Sequence, residues 1–275
     1  MNTSQDAPGQ VRWEVAPSGI ARLTIDRPDK GNAISPDERN RIIELLDAAS
    51  DDPAIRVVVL TGAGDRHFCT GGDLSHPAAR RSSSDTPFGP GETVRLIHSG
   101  IQRMFRAVLD CSKPIIAEVN GTAAGIGAHL AFACDLVVAA DDARFIEVFV
   151  RRGLVPDGAG AYLLGRLVGP HVAKELLFFG DDLAAPDAER LGLVNRAVRR
   201  AELGTFVEAW AQRLAVAPTT MLGLTKSLVN RALDVDRETA MREEALAVEV
   251  NSRAHDFAEG QRAFLEKRPV HFLGR

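Results

Sequence analysis

The sequence predicts an α/β protein, a strand–helix body that ends in an all-helical extension. Two observations carry this. Short runs rich in β-branched residues, VVVLT at 57–61 and IIAEV at 115–119, read as buried strands; the first leads through a polar loop to a glycine pair where a new element starts, the second through a glycine-rich turn into a helical pattern. From residue 203 to 265 the pattern is helical only, with two or three helices and no strand. Alternation that ends in helices argues for one α/β body plus an extension. No linker and no fixed-period repeat interrupts it. The expected organisation is a disordered segment at 1–10, a core at 11–200 and a helical region at 201–275.

In chain order, residues 11–15 and 20–25 flank Pro17-Ser18-Gly19 and read as a hairpin. RPDKGNAIS is a loop. Ser35-Pro36 then starts a helix, serine as N-cap and proline in the first turn, with Ile42, Ile43, Leu45 and Leu46 on its apolar face. Residues 75–91 are the most loop-like segment, and are expected to border the site. A helix over 93–111 places Leu96, Ile97, Ile101, Met104, Phe105 and Val108 on one side. After the strand at 115–119, residues 128–134 read as helix, 136–139 as strand, and 143–150 as an extended piece or short helix. Helices are expected over 161–168, 172–179 and 183–191, and a strand over 193–198.

The totals exclude several classes. Of 275 residues, 45% are hydrophobic and 25% charged, ordinary for a globular protein. A net charge of −4 offers no electrostatic case for nucleic acid or an anionic membrane. The start, MNTSQDAPGQ, has neither the basic nor the apolar part of a secretory signal. No apolar run approaches the roughly 20 residues of a membrane helix. Cys69, Cys111 and Cys134 are unpatterned, which reads as reduced thiols in a cytoplasmic protein and not as disulfides or a metal site.

The chemistry concentrates at two turns. In PIIAEVNGTAAGIGAHLAFACD, glycines precede a helix whose first N–H groups lack internal partners. In GAGDRHFCTGGDL, Gly71 and Gly72 follow another strand. Two such turns can each aim one N–H at a single carbonyl oxygen. Together these motifs resemble the crotonase, or enoyl-CoA hydratase/isomerase, superfamily, and the resemblance runs from about Val11 to the C-terminus.

That resemblance implies a crotonase-like spiral of ββα turns with a C-terminal helical trimerisation region, hence a homotrimer or homohexamer. It implies an acyl-CoA thioester substrate with no cofactor beyond the coenzyme A of the substrate itself, and neither a nucleic-acid nor a membrane partner. It places the oxyanion donors at the N–H groups of Thr70 and Ile126, beside Gly71 and Gly125. Lys30, Asn32 and Ala33, with Gly72, Asp73 and Leu74, would line the adenine and pantetheine. Phe264 and Lys267, in FLEKRPVHF, would close over the coenzyme, often from a neighbouring subunit.

Hydratases of this superfamily use two glutamates, one early in the helix after the oxyanion turn and one shortly before a later glycine. The matching positions here are His129 and Phe149, so both carboxylates are missing. Glu147 is near, but alternation or helical turn aims it elsewhere, and it reads as a surface or a buried, hydrogen-bonded carboxylate. Asp157, in LVPDGAG, is the expected replacement, since isomerase-like relatives carry an aspartate in this loop. A carboxylate in an apolar pocket has its pKa raised, which suits it to take and return one proton. The alternative for Asp157 is a cap on the following helix. His129 is either an auxiliary proton carrier or a structural filler. The expected reaction is a double-bond shift. Hydration by His129 with Asp157 and a silent acyl-CoA binder are the alternatives. Two further patterns are set aside: the glycines at 121, 125 and 127 lack the Tyr-xxx-Lys of short-chain dehydrogenases, and Cys69 beside His67 is not a nucleophile.

Overall fold

The computed structural model describes residues 10–76 and 89–275. The disorder expected for the first nine residues, and the centre of the 75–91 loop, lie outside them. β1 (Val11–Val15) and β2 (Ile20–Ile25) form the expected antiparallel hairpin, Val11 opposite Ile25. β3 (Val57–Gly62), β5 (Ile115–Val119), β7 (Leu136–Ala140) and β10 (Arg196–Val198) extend it into a six-stranded sheet ordered β1-β2-β3-β5-β7-β10, parallel beyond the hairpin. All six residues of β3 are buried. A parallel strand covered on both faces needs such a continuous apolar run.

A second sheet was only partly legible. β4 (His67–Cys69), β6 (Thr122–Ala124), β8 (Arg144–Ile146) and β9 (Asp182–Ala184) align in the order β4-β6-β8-β9. At three residues each they are too short for a periodic signal. Three times the chain gives one strand to the large sheet and the next to the small one: β3 then β4, β5 then β6, β7 then β8. This is the spiral of ββα turns, and each step from one sheet to the other makes a turn at the same edge of the molecule.

Local chemistry sets the helices. α1 (Pro36–Asp51) opens with a capping box, in which Asp37 N–H donates to Ser35 Oγ (3.2 Å) and Ser35 N–H donates to the Glu38 carboxylate (2.8 Å). α2 (Glu92–Leu96) and α3 (Gln102–Asp110) are joined by a π-helical turn at Ile97–Ile101. Met104, Phe105 and Val108 are buried as expected, whereas Leu96 is exposed, so the apolar face starts later than the spacing suggests. α4 (Ile126–Ala133) is buried along its whole length. α5 (Gly160–Leu167), α6 (Gly169–Phe179) and α7 (Ala185–Leu191) follow.

The C-terminal region holds four helices where two or three were expected: α8 (Leu203–Ala215), α9 (Thr219–Ala232), α10 (Arg237–Asn251) and α11 (His255–Glu266). α8 lies against β3, β5 and β7. Its Val207 and Ala211 belong to the core. This helix, which the expected division at residue 200 assigns to the helical region, thus packs on the large sheet. α9 is tied down by Lys226, whose Nζ donates to the Asp135 carboxylate (2.8 Å) and to the Val108 carbonyl (2.9 Å). Burial raises the pKa of Asp135, and the ammonium opposes it. Removing the cation leaves a desolvated carboxylate, so Lys226→Met is expected to lower stability by about 3 kcal/mol in urea denaturation. No helix among the described residues is long and apolar enough to cross a membrane.

Candidate active site

The two glycine-rich turns meet. A Cβ on Gly127, in the first turn of α4, would stand 2.1 Å from the Cys69 carbonyl oxygen at the end of β4. Only glycine lets the helix start that close to the strand. Gly125 has φ 54° and ψ −125°, and its N–H donates to the Ile146 carbonyl at 2.8 Å. This turn sends the chain from β6 straight into α4. Across from it, a Cβ on Gly72 would lie 3.8 Å from Ile126 Cδ1.

Ile126 is the first residue of α4, ahead of the first helical hydrogen bond from His129 N–H to the Gly125 carbonyl (3.1 Å). Its N–H has no acceptor within the helix. The Thr70 N–H does: it donates to the Gly31 carbonyl at 3.0 Å, and Thr70 Oγ1 donates to the same oxygen. Thr70 is therefore not a free donor, which corrects the sequence assignment. Gly72 takes its place. Its neighbours form a bridge, with Ile34 N–H donating to the Gly71 carbonyl (2.8 Å) and Asp73 N–H to the Ile34 carbonyl (2.9 Å). The Gly72 N–H takes no part and meets no acceptor among the described residues.

Arg27, which sequence reasoning missed, holds this turn. Its buried guanidinium donates to the Asp73 carboxylate (2.7 Å), the Glu38 carboxylate (3.2 Å) and the Ala33 carbonyl (2.7 Å). Ser75 and Arg27 hold the Asp73 carboxyl well below the usual carboxylate range, against the penalty of burial. A charged residue two positions past the end of β2 was the available signal.

The expected coenzyme contacts divide. Asn32 is fully buried at φ 55°, accepts from Arg27 N–H (2.9 Å), and donates to the Ala63 (2.9 Å) and His67 (2.6 Å) carbonyls. Its side chain pins the loop and is not available to a ligand, a second correction. The Asp73 carboxylate is likewise engaged internally. Lys30 is exposed beside it, with Nζ 3.3 Å from Ser75 Oγ, and Leu74 is exposed too. Phe264 (83% exposed) and Lys267 lie at the end of α11.

The acid/base candidates come together under α4. Phe149 stacks on the His129 imidazole, with ring centroids 5.2 Å apart, and Phe105 meets it edge-on. His129 Nδ1 lies 3.0 Å from the Asp157 carbonyl, and Nε2 lies 2.8 Å from Glu147 Oε2. Glu147 is thus the buried, bonded carboxylate, joined to His129. Its approach was hidden because residues 147–149 form a turn with neither strand nor helix period. Asp157 does not cap α5, whose N-cap is Ala159 with no side-chain bond. Its Oδ1 is out of solvent with no hydrogen-bond partner. Burial pushes its pKa up, and His129 partly offsets this. Burial also pushes the Cys69 thiol up to about 12, in keeping with an inert cysteine.

N–H groups without an internal acceptor at Gly72 and Ile126, and a buried, unpartnered carboxyl oxygen on Asp157, are parts that can polarise a carbonyl and move a proton next to it. The comparisons agree with this class. The family model for enoyl-CoA hydratase/isomerase matches residues 15–275. Similar proteins include a crotonyl-CoA hydratase of Syntrophomonas wolfei, 36% identical over 93% of this chain and 95% of that protein. A 1,2-epoxyphenylacetyl-CoA isomerase of Escherichia coli is 34% identical over 94% of this chain and 96% of that protein. The crystal structure of an enoyl-CoA hydratase from Bacillus anthracis superposes with a TM-score of 0.88 at 29% identity, covering 97% of this chain and all of that one. The chain belongs to the enoyl-CoA hydratase/isomerase family.

Proposed function

We propose that this enzyme shifts the double bond of an enoyl-CoA. The observation that carries the assignment is the Asp157 carboxyl, desolvated, with Oδ1 unpartnered, in a site where the positions expected for hydratase carboxylates are His129 and Phe149. In a 3-enoyl-CoA the thioester oxygen accepts from the N–H groups of Gly72 and Ile126. Asp157 takes a proton from the α-carbon, and the electron pair delocalises through the thioester and the adjacent double bond as a dienolate. The two donors stabilise the charge on oxygen, each contributing about 3 kcal/mol. Asp157 then returns the proton to the γ-carbon, which leaves a conjugated 2-enoyl-CoA. Atoms balance without water, and the reaction as written needs no metal or redox cofactor.

Lys30 and Leu74, with the backbone of Ala33 and of Gly71 to Asp73, would line the coenzyme. Phe264 and Lys267 would close over it from a neighbouring subunit. Val229, Leu233, Met241, Leu246, Val248 and Val250 expose apolar side chains on α9, at its C-cap and on α10. In a homotrimer or homohexamer, copies of the chain would cover them, and light scattering should give a mass three or six times that of one chain.

The reaction is tested by incubating the protein with 3-enoyl-CoA and with 2-enoyl-CoA, beside Asp157→Ala. Migration of the double bond that is lost in the variant supports the isomerase. A second reading, hydration, draws on the His129–Glu147 pair as a source of acid and base, and would show as a 3-hydroxyacyl-CoA product.

A further inference from the structure

The site contains a buried titratable pair that the proton shift does not use. His129 is 0% and Glu147 4% exposed, with Nε2 and Oε2 2.8 Å apart. The other ring nitrogen faces the Asp157 carbonyl, which can only accept, so Nδ1 carries a hydrogen and donates it. Nε2 faces a carboxyl group, so one further proton lies between Nε2 and Oε2, on whichever atom holds it. In either arrangement the pair is neutral as a whole, and an ionised Asp157 carries the net charge of the three.

The ring has little freedom. A Cβ on Gly160 would come 2.0 Å from His129 Cε1, so the imidazole rests directly on the backbone that opens α5, while Phe149 covers a face. The Asp157 carbonyl also accepts from Gly160 N–H at 3.2 Å. The peptide that carries the Asp157 side chain is therefore clamped from α4 by the imidazole and from α5 by the helix start. The imidazole is itself oriented by Glu147.

We propose that Glu147 is a positioning residue, acting through His129 to fix the backbone of Asp157, a role that rests on the assignment of Asp157 as the base. Glu147 touches no reacting atom. It keeps Nε2 engaged, so that the Nδ1 hydrogen stays on the Asp157 carbonyl, and the carbonyl so held sets where the carboxyl stands. A buried ring nitrogen left without a partner is costly, and the ring would turn to recover one, releasing the Asp157 peptide. Displacement of a catalytic group by about 1 Å costs on the order of 100-fold in rate.

The test compares Glu147→Met, Glu147→Gln and Asp157→Asn on 3-enoyl-CoA, with melting curves for each. Methionine keeps the volume and removes the partner. Glutamine keeps a group that can donate to Nε2. E147M is expected to lower kcat about 10- to 100-fold with KM altered less than about threefold, and E147Q to recover most of that loss. If E147Q falls as far as the methionine variant, Glu147 exchanges a proton in the reaction and the positioning role is wrong. If E147M retains wild-type kcat, the role is equally wrong. Should E147M fail to fold, E147Q decides alone: a loss of tenfold or more overturns the proposal, and kcat within about threefold of wild type upholds it. Turnover that survives in D157N would instead remove Asp157 as the base, a different result from either.

Discussion

Asp157→Asn should lower kcat on 3-enoyl-CoA by about 1,000-fold, within the 100- to 10,000-fold range of a general base. KM should change little, because in the proposed reaction the thioester oxygen is held by the Gly72 and Ile126 N–H groups and not by this side chain. The variant should melt no lower than the wild type, because it replaces a carboxyl whose Oδ1 is buried without a partner by a neutral group of the same shape. Loss of turnover with retained stability separates chemistry from folding. The same carboxyl sets the acid limb of the pH profile. Burial raises its pKa above the ordinary carboxylate value. The base acts only when ionised, so activity is present above that raised pKa and is lost as pH falls through it. The wild-type kcat/KM should therefore decline at a higher pH than an unperturbed aspartate gives, and the limb should disappear from the residual activity of D157N.

The second large effect is expected at Gly127. Adding one methyl group places it 2.1 Å from the Cys69 carbonyl oxygen and 2.7 Å from its carbon. Both atoms belong to backbone, so no flexible side chain can yield. In Gly127→Ala the start of α4 must move away from β4, and with it the Ile126 N–H from the Gly72 N–H. Misplacing one oxyanion donor costs about 100- to 1,000-fold in kcat, and overpacking lowers stability by about 1–3 kcal/mol. Steady-state kinetics with parallel calorimetry checks both numbers. An alanine variant with wild-type kcat would mean that the two turns do not act on one oxygen.

What could be read from the residues follows the range of the interactions involved. Ser35, Pro36 and Glu38 specify the start of α1 within four residues, and β3 declares itself by an unbroken apolar run. Both were legible because the determinants are local. β4, β6 and β9 were not, since three residues become a strand only when a distant segment supplies the other side. The choice of donor failed for the same reason. In CTGGDL every backbone N–H looks alike, and only the approach of Gly31 to Thr70 and of Ile34 to Gly71 and Asp73 shows which one stays free. Asn32 carries a polar side chain in a loop, an apparent ligand contact, yet a left-handed backbone and three internal hydrogen bonds turn it inward. Glu147 lay outside any regular period, so its partner could not be inferred. The choice of Asp157 rested on the resemblance, whose isomerase-like members carry an aspartate in this loop, and on His129 and Phe149 standing where the hydratase glutamates would be, so it needed no geometry.

The most direct measurement follows a labelled proton. A 3-enoyl-CoA carrying deuterium at the α-carbon is converted in ordinary water, and the product is read by NMR. A single carboxylate that takes and returns one proton in a desolvated site predicts a 2-enoyl-CoA with part of the label at the γ-carbon, and no such product from D157N. A 3-hydroxyacyl-CoA, or isomerisation that persists without the Asp157 carboxyl, would contradict it.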